Sequence, residues 1–302
     1  MSPSVILVAG DLQAEIITEE GGVLSKLTSQ GESFLTETPW SSKVTPAKFP
    51  APDESAWVNN WRGGWQLCAP NTGLPASDCL TPAFHGVASQ ASWEITCSTE
   101  SSLDIRWIDE EGEIEISRSW KLFDPEKVIV SSVVTNNSET TKAIGVAEHL
   151  ILGSDFLSPI KSGLAATLEF CPAAEIIELD YSGAPTGRQL SGSETKSDWT
   201  NLTKDQPARV FALGHSKHRR ISVELENWIA EITWEGLEHA LVWQEFGTSK
   251  DSPWNGEVFA LGLEPTNIAH GLGANDETGP FIEPGNQLHW STTLQLTRKV
   301  LS

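Results

Sequence analysis

Seven histidines and 41 acidic residues are spread along this 302-residue chain. Only a few of them sit among apolar neighbours that could tune them for proton transfer. Glu264 ends the run Leu261-Gly262-Leu263 and is followed by Pro265. Leucines beside it, and Trp243 in an earlier apolar run, could desolvate its carboxyl and raise its pKa. His149 lies between Glu148 and Leu150, and His85 opens His85-Gly86-Val87-Ala88. Arg62 stands between Trp61 and the pair Gly63-Gly64. Its planar fork of donors could hold a polar group, although stacking on Trp61 or Trp65 would also use it. Taken singly, a Glu before Pro is most often a solvated strand end, and a lone His a hydrogen-bonded structural residue.

Other chemistries find little support. His215 and His218 have an H-x-x-H spacing, but the turn around them carries no Cys or carboxylate to complete a metal site. Gly271-Leu272-Gly273-Ala274-Asn275 lacks the strand-to-helix context of a phosphate loop and reads as a turn near a site. Cysteines 68, 79, 97 and 171 form no CxxC pair and read as free thiols. No metal and no cofactor are expected.

The elements that must position these side chains follow a period of two. Ile114, Ile116, Arg118, Trp120 and Leu122 share one face of a run whose other face is Glu115, Ser117, Ser119 and Lys121. Leu103, Ile105 and Trp107 alternate with Asp104 and Arg106, and Trp290, Thr292, Leu294 and Leu296 with Ser291, Thr293 and Gln295. Turn signals at Glu111-Gly112, Asn136-Asn137-Ser138 and Pro284-Gly285-Asn286 separate such runs. Many short half-buried strands predict an all-β sandwich or barrel in one large domain, residues 1–302. Ala173 to Leu179 reads at best as a short helix. Ser182 to Pro207 reads as a long loop, and Thr36 to Asn60 as irregular.

Composition limits the partners. Twenty basic against 41 acidic residues leave a net charge of -21, which disfavours nucleic acid and anionic membrane surfaces. No apolar run reaches the ~20 residues of a membrane helix, and no signal peptide is visible at Met1 to Asp11, so a soluble cytoplasmic protein is expected. Thirteen Trp stand against one Tyr; indoles serve sandwich cores and sugar faces alike.

Four groups of motifs then fall in a familiar order. They are Gly21-Gly22-Val23-Leu24-Ser25-Lys26-Leu27; then Trp61-Arg62-Gly63-Gly64-Trp65 with Pro70-Asn71-Thr72-Gly73 and His85-Gly86-Val87-Ala88; then Val133 to Ser138 leading to Glu148-His149-Leu150; and Leu241-Val242-Trp243 with Leu261 to Pro265. This set, spanning roughly Asp11 to Leu296, resembles the galactose mutarotase-like family of aldose 1-epimerases and hexose-6-phosphate mutarotases. The resemblance implies a large antiparallel β-sandwich, a supersandwich. It also implies anomer interconversion of a cyclic sugar by a base and an acid on opposite sides of the ligand. Glu264 matches the family's base and His149 its acid. Arg62 matches a hydroxyl-binding arginine and His85 a histidine that donates to a substrate oxygen. Asp198 is placed against a sugar-binding carboxylate by its spacing to Glu264, with an ordinary loop aspartate as the alternative. Trp65, with Trp61, is either a stacking wall or core.

One departure stands out. Where the phosphosugar branch commonly has Arg after Ala88, this chain has Ser89, which argues for a neutral sugar. Two other functions compete with a mutarotase. One is a non-catalytic sugar-binding protein of the same fold. The other is a two-carboxylate glycosidase pairing Glu264 with Glu148 or Glu245.

Overall fold

The period-two runs fold as strands. The computed structural model describes residues 4–48, 50–74, 83–171, 174–190, 199–214 and 219–299. Ile114–Phe123 buries Ile114, Ile116, Arg118, Trp120 and Leu122 and turns the residues between them outward. Ser102–Ile108 and Gln287–Arg298 alternate as their sequences require.

Two large antiparallel sheets result. The main path of the eleven-stranded sheet runs Val5–Ala9, Leu12–Ile17, Val23–Ser29, Trp65–Cys68, Ala147–Leu152, Phe259–Thr266, His239–Phe246, Arg209–Leu213, Ile176–Leu179, Pro185–Leu190, with Glu32–Ser33 beside Val23–Ser29. The nine-stranded sheet runs Asn201–Leu202, Ala166–Phe170, Arg220–Glu224, Trp228–Glu235, Gln287–Arg298, Lys127–Asn136, Ile114–Phe123, Ser102–Ile108, Glu94–Ser98. Each sheet takes strands from both halves of the chain. The inner faces meet in one apolar core, with Trp65 of the larger sheet edge-on to Trp120 of the smaller at 5.1 Å between ring centroids. This is the expected sandwich. No helix among the described residues is long and apolar enough to cross a membrane.

Two local expectations are corrected. Ile176–Leu179 is a strand, not a helix, because it pairs with Arg209–Leu213 on one side and Pro185–Leu190 on the other. Tertiary pairing overrides a weak local preference in so short a run. The expected loop from Ser182 holds the strand Pro185–Leu190 and the short strand Asn201–Leu202. Pro185 is the first residue of an edge strand, a position where its missing N–H breaks no ladder. The irregular stretch before Asn60 contains the helix Glu54–Asn59, whose Asp53 cap accepts from the Ala56 N–H at 2.8 Å.

A polar bolt crosses the core. Arg118 reaches from the smaller sheet to Glu148 on the larger, in two parallel hydrogen bonds of 2.9 Å, with both side chains fully buried. Trp65 and Trp290 donate their indole N–H groups to the same carboxylate at 2.8 and 2.6 Å. Arg118 also lies over the Trp120 ring. Every lone pair direction of Glu148 is thereby used, which is the condition for a buried ion pair to be tolerated. Removing one partner strands the other charge in apolar surroundings. Glu148→Ala should therefore lower stability by about 3–5 kcal/mol in urea unfolding, far more than truncation of an exposed glutamate.

Candidate active site

The central strands of the larger sheet are buried on both faces, since all six residues of Ala147–Leu152 are buried. Their outward side chains lie under a cover of Trp57, Val58, Trp61 and Trp254. Between strand and cover is a cavity of about 170 Å³.

Register places the two expected proton-transfer groups together. Ala147 lies opposite Thr266 and Leu150 opposite Leu263, so His149 falls opposite Glu264. Leu150 and Leu263 point into the core, and the alternation turns His149 and Glu264 out to the cavity. Directly opposite residues in such a pair have Cβ atoms ~5 Å apart. The two groups therefore rise side by side from the cavity floor, rather than facing each other across a ligand as the sequence suggested.

Desolvation governs both. Glu264 is 6% exposed and has no hydrogen-bond or ion-pair partner among the described residues. Burial pushes its pKa up to about 8. Burial also holds the His149 pKa well below the usual imidazole value, and the neighbouring His85 acts in the same direction. His149 meets Trp57 and Trp61 edge-on at 5.4 and 5.6 Å. Its Nδ1 is buried without a partner, which leaves Nε2 as the nitrogen with access to the cavity. Trp61 Nε1 and Thr72 Oγ1, on two other lining residues, are also buried and unpartnered. Buried polar atoms are rarely left so, and a polar ligand in the cavity could satisfy those of Trp61 and Thr72.

His85 lines the same cavity, 5.4 Å from His149 between ring centroids. It adopts a positive φ of 59° before Gly86, which turns the ring inward. Its Nδ1 lies 2.7 Å from the Thr72 carbonyl oxygen, so that nitrogen carries the proton and donates. Burial keeps its pKa near 4. Nε2 is then a hydrogen-bond acceptor, and the expected donor role is corrected by the tautomer that the Thr72 carbonyl selects.

Two further expectations are corrected. Arg62 does not line the cavity; its Nε and Nη2 bind Glu20 at 2.8 and 3.0 Å, and its Nη1 donates to the Ser41 carbonyl. Trp65 is fully buried on the inner face, with its N–H on Glu148. Of the two candidate stacking tryptophans, only Trp61 reaches the cavity. Asp198, and the pair His215 and His218, lie outside the described residues. Glu245 caps a turn by accepting from the Thr248 and Ser249 N–H groups. With Glu148 locked in the core, neither partner proposed for a glycosidase pair lines the cavity with Glu264.

Ser89 has a structural task. Its hydroxyl accepts from Trp57 Nε1 at 2.9 Å and donates to the Gly86 carbonyl at 2.7 Å. It thus fixes Trp57 against His85 and His149. Trp57, Trp254 and Tyr181 were not among the sequence candidates, and Thr72 and Trp243 were named only within motifs or as neighbours of Glu264. For Trp57, the Asp53 helix cap four residues earlier was an available signal. Gly262 makes room for the site: a Cβ there would collide with Glu264 Oε1 and crowd Ile151 and Trp243. At the mouth, Gly271 N–H donates to the Gly183 carbonyl at 2.8 Å, and Gly73 abuts the Gly271 carbonyl with no room for a side chain.

Two substitutions separate structure from site. Arg62→Met should lower stability by about 1–3 kcal/mol, by leaving Glu20 buried and short of donors, while ligand affinity at the cavity stays within twofold. Gly262→Ala should instead displace the Glu264 carboxyl and lower ligand affinity or turnover about tenfold or more, even where the folded fraction, followed by near-UV circular dichroism, is unchanged.

No protein-family model matches the sequence, and no curated protein matches it. Solved structures do. A Synechocystis sp. PCC 6803 protein superposes with a TM-score of 0.73 at 16% identity, covering 99% of this chain and 97% of its own. A candidate aldose 1-epimerase of Escherichia coli K12 gives 0.72 at 14% identity, covering 98% and 99%. A galactose mutarotase-like protein of Lactobacillus casei gives 0.71 at 12% identity, covering 98% and 100%. The chain has the galactose mutarotase-like fold over essentially its whole length.

Proposed function

We propose that the protein is a mutarotase, an isomerase that interconverts the anomers of an unphosphorylated hexose or related sugar. The observation that carries this reading is the pairing of Glu264 and His149 on the floor of the cavity, each without a partner among the described residues for its reactive atom. Its fold is also that of the candidate aldose 1-epimerase described above.

Anomer exchange moves two protons at one carbon. The hemiacetal hydroxyl on C1 loses a proton as the ring oxygen gains one. The C1–ring oxygen bond breaks, C1 becomes an aldehyde carbon, and rotation about C1–C2 exposes its other face. Reclosure reverses the proton movements. Both oxygens are bonded to C1, so two groups one strand spacing apart can serve them together. Glu264 and His149 hold one transferable proton between them. His85 Nε2 serves as an acceptor for a substrate hydroxyl, and Trp57 and Trp61 contribute apolar wall beside a pyranose ring.

Burial favours the neutral pair, a protonated Glu264 beside an uncharged His149. Glu264 then serves the ring oxygen as acid and His149 the anomeric hydroxyl as base. The family-like order, carboxylate base with imidazolium acid, contains the same number of protons and has the same pH dependence. No lysine or arginine lines the cavity among the described residues, which supports a substrate without a phosphate.

The shifted pKa values reverse the usual limbs of the pH profile. Above about 8 Glu264 loses the shared proton, so kcat/KM should fall on the alkaline side there. Below the lowered imidazole values a second proton is bound, so the acidic limb belongs to the histidines and lies under the ordinary histidine range. Glu264→Gln should remove about 10²–10⁴ of the rate while leaving affinity within a few-fold, and the residual activity should lack the alkaline limb. His149→Asn should cost about 10² in kcat with a modest change in melting temperature. NMR exchange spectroscopy between anomers, corrected for the uncatalysed rate, reads all of these. Wild-type exchange by Glu264→Gln would sink the assignment, and tight sugar binding with no exchange by the native protein would make it a sugar-binding protein.

A further inference from the structure

Glu54 is the first residue of the helix Glu54–Asn59 and lines the mouth of the same cavity. It is half-buried, yet no hydrogen bond or ion pair joins it to any described residue. Burial and the adjacent Asp53 charge both raise its pKa, so its ionised form lacks compensation. A carboxylate drawn partly out of water without a partner is costly unless a ligand supplies the opposite charge.

The rest of the wall points the same way. Trp57, Trp61, Trp243, Trp254 and Phe84 turn aromatic groups to the space, and Trp243 and Trp254 stand 5.6 Å apart between centroids. Aromatic faces attract cations, with indole the best of them. A net charge of -21 raises the local concentration of cations and lowers that of anions. A sugar phosphate or uronate would add a negative charge beside Glu54, and a neutral hexose would leave it uncompensated.

We infer that the sugar taken by this cavity carries a protonated amine, making the substrate class an aminohexose whose ammonium meets Glu54 and the indole faces at the mouth. This rests on the sugar reading of the cavity. The anomeric carbon then sits at the floor with Glu264 and His149. Hydroxyls meet Thr72 and His85, and the charge lies toward solvent.

The test is calorimetric binding of glucosamine, 6-amino-6-deoxyglucose, glucose, N-acetylglucosamine, glucose 6-phosphate and ethanolamine to the full chain, with anomer exchange read on the same sugars. At low salt at least one aminohexose should bind about tenfold tighter than glucose or N-acetylglucosamine, the scale of a partly desolvated cation contact. The gap should narrow as salt is raised. Glu54→Gln should cut it to about twofold, with the fold verified by circular dichroism. Equal or tighter binding of the neutral or phosphorylated sugars overturns the inference, as does a gap that Glu54→Gln leaves intact. Ethanolamine binding as tightly as the aminohexose also overturns it, because the site would then be a cation box that does not read the ring. Exchange of neutral hexoses with no amine preference removes this inference and leaves the mutarotase reading standing. Amine preference without exchange of any sugar does the reverse.

Discussion

The buried contact between Glu148 and Arg118 fixes more than the spacing of two sheets. Glu148 and His149 are consecutive in a strand, so one points into the core whenever the other points out. Four charge-assisted or indole hydrogen bonds hold the Glu148 carboxylate in place. A slip of one residue in this strand would carry a carboxylate out of its cage and an imidazole into hydrocarbon. The polar core thus acts as a register pin for the face that lines the cavity. Arg118 and Trp290, on the far sheet, become remote guarantors of where His149 stands.

The floor of the cavity illustrates how burial alone can arrange proton chemistry. Among the described residues nothing beside Glu264 carries a compensating charge, and for His149 burial outweighs the backbone contact that favours its charged form. Desolvation moves an acid up and a base down, until the carboxyl holds its proton more tightly than the imidazole does. A pair so inverted stores no separated charge at rest. Charge separation is called on only when a polar ligand enters to stabilise it, and idle protonation of the histidine near neutral pH is suppressed.

Much of the architecture was legible in local sequence because alternation is a local property. Ile114 to Leu122 and Trp290 to Leu296 announced their faces without any knowledge of their partners. Glu264 and His149 were legible only through the order of several weak motifs, since nothing in either neighbourhood says that the two strands are adjacent. Arg62 and Trp65 were misplaced for a related reason. Glu20, which captures the guanidinium, lies 42 residues earlier in the chain. The inward direction of Trp65 depends on how alternation restarts after Gly63 and Gly64. The strand at Ile176 was hidden because its stability comes from neighbours on both sides, not from its own composition. Ser89 was read by what it lacks, a positive charge, when its role is to hold an indole.

The meeting of Gly73, Gly183 and Gly271 at the rim joins three segments distant in the chain at a single vertex. Each approaches so closely that even a methyl group would be expelled. Three segments that share one vertex do not have three independent hinges. Their displacements are constrained like the legs of a tripod whose feet stand on separate strands. The aperture above Glu264 therefore behaves as one mechanical variable, and length changes in any one of these segments have to be absorbed by the other two.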